Sequence, residues 1–404
     1  MDRKWDVIVV GAGPVGSYLA SRLAGWGLAT LVLEEHTDIG RPTCCSGIIG
    51  RDCLSSFPIP REVVVKEAAS ATFFSPSGKS LRAAAPQPIA YVVDRRALDQ
   101  ALARHAQEKG AELRVGMGVK GLEVDGHGAT VRVEGNGHHP LCAQAVVLAT
   151  GFPSPLPALA GLGEVSRWGI GAQAEVPVNG LEEAEVYLGQ GIAPGFFAWL
   201  VPTAPGHALA GLISSRPGPY LQSFLKDLHR QGKVKSAQAP LCFRRIAFSP
   251  LPRTYGDRVV AVGEAAGQVK ATTGGGIFYG LLCAEEAAMA LHRALSRGDL
   301  SARSLSSYER AWQSRLGPEM RMGGWARGLY ARLSDRRIDE VFSLGQSSGL
   351  ADAGGTMQDL SFDWHSPVIR HALKQQALRG LKWLLPVPLR LSRSPSPPRS
   401  PSPL

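Results

Sequence analysis

Three glycines near the start of the chain have the spacing of a phosphate-binding turn. Gly11, Gly13 and Gly16 form the pattern GxGxxG. The apolar run from Asp6 to Val10 precedes them, and a helical stretch follows. The first glycine allows a tight turn, the second lets backbone N–H groups approach a pyrophosphate, and the third brings the helix close to the sheet. Glu34, 23 residues after Gly11 at the end of the next apolar run, would accept hydrogen bonds from ribose hydroxyls.

A second glycine-rich segment lies much further along the chain. Gly263, Glu264 and Gly267 follow the apolar run from Arg258 to Val262, and Gly274 to Gly276 open another helix. An acid directly after the glycine has the form of the second FAD fingerprint, in which the carboxylate binds the ribityl chain. The later helix would point its N-terminus at the flavin pyrimidine. Because a cofactor as long as FAD needs two anchors, the two segments together predict bound FAD.

The elements that must position these turns follow from the hydrophobic patterning. Apolar runs alternate with helical stretches in the first part of the chain and return near Ala145 to Leu148, which is typical of a parallel sheet covered by helices. Between about Ser166 and Ile246 the pattern changes to strand pairs with turn residues between them. We therefore predict an α/β fold with a Rossmann-like FAD-binding domain, an inserted antiparallel-sheet substrate domain and a C-terminal helical region.

The same patterning predicts domain boundaries. The FAD-binding domain is expected to be discontinuous and to comprise residues 1–70, 94–165 and 247–300. The substrate-binding sheet is expected to comprise residues 71–93 and 166–246. Residues 301–390 are expected to form the helical region, and residues 391–404 a disordered Ser/Pro/Arg tail.

Composition narrows the class of protein. The chain has 404 residues, of which 44% are hydrophobic and 19% charged, so a disordered or fibrous protein is excluded. No apolar run approaches the roughly 18 residues of a membrane-spanning helix. Six cysteines without a CxxC motif argue against a disulfide scaffold or a structural zinc site, so no metal is expected. These features fit a protein of the reducing cytoplasm.

The positive charge is concentrated at the C-terminus. The formal net charge is +10, and residues 370–404 carry seven basic residues and no acid. Ser366 and Pro367 predict a helix start, and apolar residues recur at helical spacing up to Pro386. One hypothesis is a surface helix on an anionic membrane, peripheral on the cytoplasmic face. The alternative is a helix packed on the FAD domain with a solvated basic face, and neither requires a nucleic-acid partner.

Additional motifs resemble the geranylgeranyl reductase family of FAD-dependent oxidoreductases, in the p-hydroxybenzoate hydroxylase fold group. The segment Pro42 to Gly47 matches PxxCxG, and Thr272 to Ile277 reads TTGGGI. Val93-Asp94-Arg95 and Ala149-Thr150-Gly151 match as well. The resemblance extends to about residue 365. It implies an enzyme that saturates carbon–carbon double bonds in the prenyl chains of lipids, chlorophyll precursors or quinones.

The resemblance also implies a set of residues that contact FAD. Arg95 is expected near the FAD phosphates. The full set of expected cofactor-binding residues is Gly11, Gly13, Pro14, Gly16, Glu34, Glu35, Cys45, Gly47, Arg95, Thr150, Gly151, Gly263, Glu264, Gly274, Gly275, Gly276 and Ile277.

The implied reaction is hydride transfer from N5 of reduced FAD to one alkene carbon and protonation of the other. Cys45 stands at the motif cysteine and is the expected catalytic residue, because cysteine thiols are mostly protonated at neutral pH. Cys44 is expected to point away from the site. Residues 197–202 resemble the family's YxWxFP element, which lines the lipid cavity. The expected substrate-binding residues are Phe197, Trp199, Val201 and Pro202.

The substrate and the electron donor stay open at this point. The expected substrate is a prenylated lipid or a prenyl diphosphate, and the electron donor is either NAD(P)H or a ferredoxin-like protein. Four positions depart from the family pattern. Glu264 replaces aspartate, Ala271 replaces proline, Phe197 replaces tyrosine and Thr203 replaces lysine.

Two alternative functions remain. One is a flavin-dependent monooxygenase or halogenase of the same fold, and the other is a non-catalytic, membrane-associated flavoprotein. The Cys45 element and TTGGGI favour the reductase over the first alternative. The histidine usual in hydroxylases after the acid-Ala-Ala run is Gly267 here.

Overall fold

The computed structural model describes residues 5–134, 140–347 and 361–371. The strands are β1 (Trp5–Val10), β2 (Thr30–Leu33), β3 (Ile48–Gly50), β4 (Val64–Ala68), β5 (Ser70–Phe74), β6 (Ser80–Ala84), β7 (Ala90–Val93), β8 (Glu112–Arg114), β9 (Val119–Val124), β10 (Ala129–Val133), β11 (Leu141–Leu148), β12 (Trp168–Pro177), β13 (Ala184–Leu188), β14 (Phe197–Pro202), β15 (His207–Ser214), β16 (Cys242–Ala247), β17 (Tyr255–Gly256) and β18 (Val259–Ala261). The α-helices are α1 (Pro14–Gly25), α2 (Arg51–Ser56), α3 (Arg95–Glu108), α4 (Leu156–Leu159), α5 (Pro217–Arg230), α6 (Ile277–Ser296), α7 (Ala302–Tyr330) and α8 (Asp335–Ser347).

The first sheet carries both glycine-rich segments. Its strand order is β17-β18-β11-β1-β2-β8, and β9 and β10 extend it from β11. Strand β1 pairs in parallel with β2 and β11, and β11 pairs in parallel with β18. Because parallel strands end at the same edge, the turns after β1, β2, β11 and β18 meet there. Helices α1, α3 and α6 pack together beside this sheet. The predicted Rossmann-like FAD-binding fold is confirmed.

The second sheet forms the predicted inserted layer. Its order is β16-β12-β15-β14-β13-β5-β6, and most pairs are antiparallel. The pair β5–β13 is parallel, and β5 comes from a distant part of the chain. Helix α5 covers one face of the sheet through Leu221, Phe224, Leu225 and Leu228.

One strand assigned to this sheet lies elsewhere. The sequence analysis placed residues 71–93 together, but Ala90–Val93 pairs with Ile48–Gly50 and Val64–Ala68 in a separate three-stranded sheet. All four residues of β7 are buried, so the strand is covered on both faces. An edge position in the substrate sheet would leave these apolar side chains exposed.

The C-terminal part of the described chain differs from the prediction at one point. Residues 301–390 were expected to form a helical region, but residues 361–365 are not helical. The Glu319 carboxylate accepts hydrogen bonds from the backbone N–H groups of His365 and Ser366. A side chain therefore satisfies these N–H groups, which helical hydrogen bonds would otherwise do. Residues 366–371 are helical, as Ser366-Pro367 predicted. The rest of the basic segment and the Ser/Pro/Arg tail lie outside the described residues.

The chain divides into two units, residues 1–366 and 367–404. Strands β1–β18 and helices α1–α8 lie in the first unit. Among the described residues, no helix combines the length and apolar character that crossing a membrane requires.

Candidate active site

The first glycine turn leaves space for a phosphate. A Cβ on Gly11 would lie 2.4 Å from the Ala149 carbonyl oxygen, and one on Gly16 would lie 2.1 Å from the Gly11 carbonyl oxygen. These two glycines therefore allow close backbone packing. A Cβ on Gly13 would have no described atom within 4 Å. Gly13 is also the N-cap of α1 and gives it no side-chain cap, so the first N–H groups of the helix face open space.

Glu34 holds this turn from the end of β2. Its carboxylate accepts a hydrogen bond from Ala12 N–H at 2.8 Å and another from His36 N–H at 3.0 Å. The His36 ring also hydrogen-bonds the carboxylate, at 2.7 Å. Glu34 is only 12% exposed but still lines the cleft beside the glycine turn. Its position fits a carboxylate that binds a ribose.

The cleft at this sheet edge brings together most of the predicted cofactor residues. Its volume is about 340 Å³. The predicted residues that line it are Gly11, Gly13, Pro14, Glu34, Glu35, Cys45, Arg95, Thr150, Gly151, Glu264, Gly276 and Ile277. Gly16, Gly47 and Gly263 are not among its lining residues. A Cβ on Gly263 would lie 3.1 Å from the Val15 side chain, so that glycine serves helix packing.

An apolar cavity of about 480 Å³ adjoins the cleft. The alternation predicted for β14 is present, because Phe197, Trp199 and Val201 all line the cavity. Pro202 is buried but is not among the lining residues. Trp199 fits against the neighbouring strand because residue 211 is glycine, where a Cβ would lie 2.5 Å from the indole ring. Other apolar walls come from Phe73, Val186, Leu188, Ile213 and Ile246.

Cleft and cavity meet at one group of residues. Those that line both are Cys44, Cys45, Arg95, Arg244, Glu264, Gly276 and Ile277. Gly47 N–H approaches the Cys45 Sγ at 3.4 Å, and Gly47 adopts a positive φ of 70° to allow this. Gly274 and Gly275 line the cavity beside the same group. The PxxCxG loop therefore places Cys45 where the cofactor cleft opens into the apolar cavity.

Two ion pairs hold the junction. Arg95 Nη2 lies 2.9 Å from Asp99 Oδ1, and the two side chains are 13% and 11% exposed. Burial lowers the pKa of Arg95, but Asp99 and Cys45 raise it overall. Arg244 Nη2 lies 2.8 Å from Glu264 Oε2 and joins the substrate sheet to the second glycine segment. Glu264 is the main cause of the raised Arg244 pKa.

Arg244 was missed by the sequence analysis. The alternation of half-buried and exposed residues along β16 could have indicated it, because Cys242, Arg244 and Ile246 share one face. Lone arginines in edge strands are usually solvated, so the pattern alone does not identify a site.

Cys44 was expected to point away from the site, but it lines both the cleft and the cavity. Its thiol interacts with that of Cys242 on β16. A hydrogen bond from Cys44 lowers the pKa of Cys242 to about 7, and the same contact raises the pKa of Cys44.

A buried ion pair at the cavity wall was also missed. Lys270 Nζ lies 3.0 Å from Asp363 Oδ1, and the side chains are 4% and 1% exposed. Lys270 also donates to the Phe362 carbonyl oxygen at 2.9 Å, and Cys53 N–H donates to Asp363 Oδ2 at 3.1 Å. Burial is the main cause of the lowered Lys270 pKa. The pair fixes residues 361–365 as one wall of the cavity.

The binding groups at this site fit FAD. The open space at Gly13, the uncapped start of α1 and the carboxylates of Glu34 and Glu264 supply a phosphate site and two hydroxyl-binding groups. Helix α6 also begins without a described side-chain cap, at Gly276, where cleft and cavity meet.

Comparisons with known proteins agree with this geometry. Residues 5–180 match the family described as pyridine nucleotide-disulphide oxidoreductase. The fold is that of a geranylgeranyl bacteriochlorophyll reductase-like protein from Thermoplasma acidophilum, with a TM-score of 0.82, 23% identity, and coverage of 95% of this chain and 100% of that one. A halogenase in complex with FAD shares the fold at a TM-score of 0.67 and 15% identity, covering 94% of this chain and 86% of that one.

A curated relative supplies the family. The digeranylgeranylglycerophospholipid reductase of Methanocaldococcus jannaschii is 31% identical over 359 residues, which cover 85% of this chain and 91% of the relative. The predicted family and the predicted FAD cofactor are thereby confirmed. The chain belongs to the digeranylgeranylglycerophospholipid reductase family of FAD-dependent oxidoreductases.

Proposed function

We propose that this protein reduces carbon–carbon double bonds in the prenyl chains of a membrane lipid, with reduced FAD as the hydride donor. The observation that carries the proposal is the junction at Cys45, where the cofactor cleft opens into a cavity with apolar walls. A volume of about 480 Å³ lies within the roughly 300–1,000 Å³ of small-molecule sites. Its aromatic and aliphatic lining suits a hydrocarbon chain that has no polar group to bind.

Different predicted residues would bind different parts of FAD. The turn at Gly11 and Gly13 and the start of α1 would bind the pyrophosphate, Glu34 the ribose, and Glu264 the ribityl chain. When bound and reduced, the flavin supplies the hydride. Glu264, which stands where the family has aspartate, pairs with Arg244.

The protein itself would orient the alkene, exclude water and deliver a proton. Phe197, Trp199 and Val201 hold the chain in the cavity, and burial removes water from the reacting carbons. Cys45 would give its thiol proton to one alkene carbon while the other receives hydride. Gly47 N–H lies where it can stabilise the sulfur after the proton has left.

Lipid mass spectrometry tests the reaction. Protein reduced under anaerobic conditions is mixed with a geranylgeranyl lipid in detergent, and each reduced double bond adds two hydrogen atoms to the mass. Cys45→Ala should keep FAD but lose most of the reduction, while Cys44→Ala should be milder. The exposed Cys142→Ala serves as the matched control. Equal turnover by all three variants would remove Cys45 from the mechanism.

Oxygen uptake distinguishes the rival activity. A monooxygenase or halogenase would consume oxygen in proportion to product, whereas alkene reduction needs none. The likeness to the halogenase shows the fold alone. FAD binding without turnover in either assay would favour a non-catalytic flavoprotein.

The proposed lipid substrate implies where the protein acts. We propose that the protein works at a membrane surface, peripherally, since its substrate would reside in the bilayer. The electron donor, NAD(P)H or a ferredoxin-like protein, is identified by following flavin bleaching with each donor under anaerobic conditions.

A further inference from the structure

The outer corner of the substrate sheet has an unusual surface. Trp168 on β12 and Phe243 on β16 are 46% and 55% exposed, although both lie in strands. The strand register places Trp168 opposite Ala247, Ile170 opposite Arg245 and Ala172 opposite Phe243, so all of these side chains share one face. We call the surface formed by Trp168, Ile170, Phe243 and Arg245 the β12–β16 corner.

Helix α5 leaves this corner uncovered. The helix packs over the same face further along the sheet, where Ala172 is 1% exposed. Its first turn reaches Phe243, since a Cβ on Gly218 would lie 3.6 Å from that ring. Beyond this point the rings of Trp168 and Phe243 are exposed to solvent, whereas Ala247 on the same face is buried. The exposed aromatics therefore lie where the covering helix stops.

The opposite face of the same two strands lines the apolar cavity. Gly171, Gln173, Arg244 and Ile246 line it, and they alternate with the residues of the corner. Strand β16 is an edge of the sheet. One edge strand therefore separates the cavity for the lipid chain from the exposed corner.

The charge around the corner is positive. The Arg245 guanidinium stacks over the Trp168 ring, 5.0 Å from its centroid. Arg216, the N-cap of α5, is exposed two residues before Gly218. Of the arginines in β16, Arg245 lies on the corner face, whereas Arg244 lines the cavity and pairs with Glu264. Aromatic rings beside arginines suit the boundary between lipid headgroups and acyl chains, where anionic lipids attract the cations.

We infer that the β12–β16 corner docks on an anionic lipid surface and places the cavity wall of β16 against the membrane. The inference rests on the proposed function, because a lipid substrate gives the docking its purpose. The exposed rings would enter the interface and the arginines would contact the headgroups. A lipid chain would then pass from the bilayer past the edge strand into the cavity.

Vesicle sedimentation tests the inference with the full chain and FAD bound. The vesicles contain phosphatidylcholine with or without phosphatidylglycerol. We expect Trp168→Ser with Phe243→Ser to weaken binding on the order of tenfold, because two half-exposed rings no longer enter lipid. Arg245→Gln should weaken binding only to vesicles with phosphatidylglycerol. Leu159→Ser, at a residue 59% exposed in the FAD-binding domain, is the matched control and should bind as wild type.

Fluorescence gives a second readout. Brominated acyl chains should quench the emission that Trp168 adds, measured as wild type minus Trp168→Phe. Wild-type vesicle binding by the double variant, or an equal loss in Leu159→Ser, would overturn the inference. So would unchanged vesicle binding together with slower reduction by a donor protein, because the corner would then be a protein-docking site.

A detergent assay separates this inference from the proposed function. The double variant should still reduce a prenyl lipid supplied in detergent, because the corner lies outside the cavity. If wild type reduces no alkene but binds vesicles through the corner, the proposed function fails and the docking surface stands.

Discussion

The buried pair of Lys270 and Asp363 gives the most quantitative prediction. Asp363→Asn keeps the shape and the oxygen that accepts from Cys53 N–H but removes the negative charge. Lys270 is 4% exposed, so its buried ammonium would then lose its ion-pair partner and keep only the weaker influence of Glu319. Such a group loses its proton in the folded protein rather than remain charged.

The cost of that deprotonation sets the magnitude. Unfolded, Lys270 has the ordinary lysine pKa of 10.5, roughly 3.5 units above pH 7. At 1.36 kcal/mol per unit, the loss at pH 7 is at most about 5 kcal/mol. This agrees with the roughly 3–5 kcal/mol measured when one partner of a buried pair is removed. The loss is a large fraction of an ordinary domain's stability.

The pH dependence has a definite sign. A lysine whose folded pKa is depressed takes up a proton on unfolding, so the free energy of unfolding rises with pH below the unfolded pKa. The loss in Asp363→Asn should therefore shrink by about 1.4 kcal/mol for each unit between pH 7 and pH 9. Adding Lys270→Met removes the buried amine and should restore most of the stability at every pH.

Urea unfolding followed by tryptophan fluorescence measures these differences. Trp364 lies in the segment held by the pair, with its ring centroid 5.6 Å from that of Phe278. Glu123→Gln breaks an exposed pair with Arg132, in which the side chains are 65% and 60% exposed, and should change stability little. A pH-independent loss in Asp363→Asn, or a double variant less stable than the single one, would refute the reasoning.

Three further predictions follow from the site. Gly13→Leu should fold, since its Cβ meets open space, but should purify without the flavin absorbance; a full complement of FAD would contradict the phosphate assignment. Cys242 should react with iodoacetamide at lower pH than an ordinary cysteine, and Cys44→Ala should move its reaction to higher pH, as peptide mass spectrometry can follow. Gly211→Ala should push the Trp199 ring into the cavity and raise the KM for long prenyl lipids; an unchanged KM would show that the wall can yield.

The local motifs were readable from sequence because their physics is local. Gly11 needs its positive φ of 105° for a turn, and Gly16 allows close contact within the same few residues. The alternation of Phe197, Trp199 and Val201 fixes which side chains share a face of one strand. The FAD-binding fold, the inserted sheet and the family motifs were therefore predicted correctly.

The pairing of strands was harder to predict from the sequence than the local motifs. The apolar run Ala90–Val93 was recognised, but its pattern does not say which sheet it joins. Its partners, β3 and β4, are short, and burial on both faces decided the pairing. The non-helical course of residues 361–365 likewise depends on Glu319, more than forty residues away, accepting their N–H groups.

The sequence by itself determined the cofactor and the fold, because each phosphate-binding turn is complete within a short stretch of chain. Only the tertiary structure decided which charges meet at the junction. Arg244 reaches Glu264 from another sheet, and Lys270 finds Asp363 across 93 residues. A charged residue in sequence carries no sign of its partner, since burial and pairing depend on which surfaces the packed elements bring together. For the same reason, the cavity exists only where the substrate sheet and residues 361–365 close over the end of the cofactor cleft.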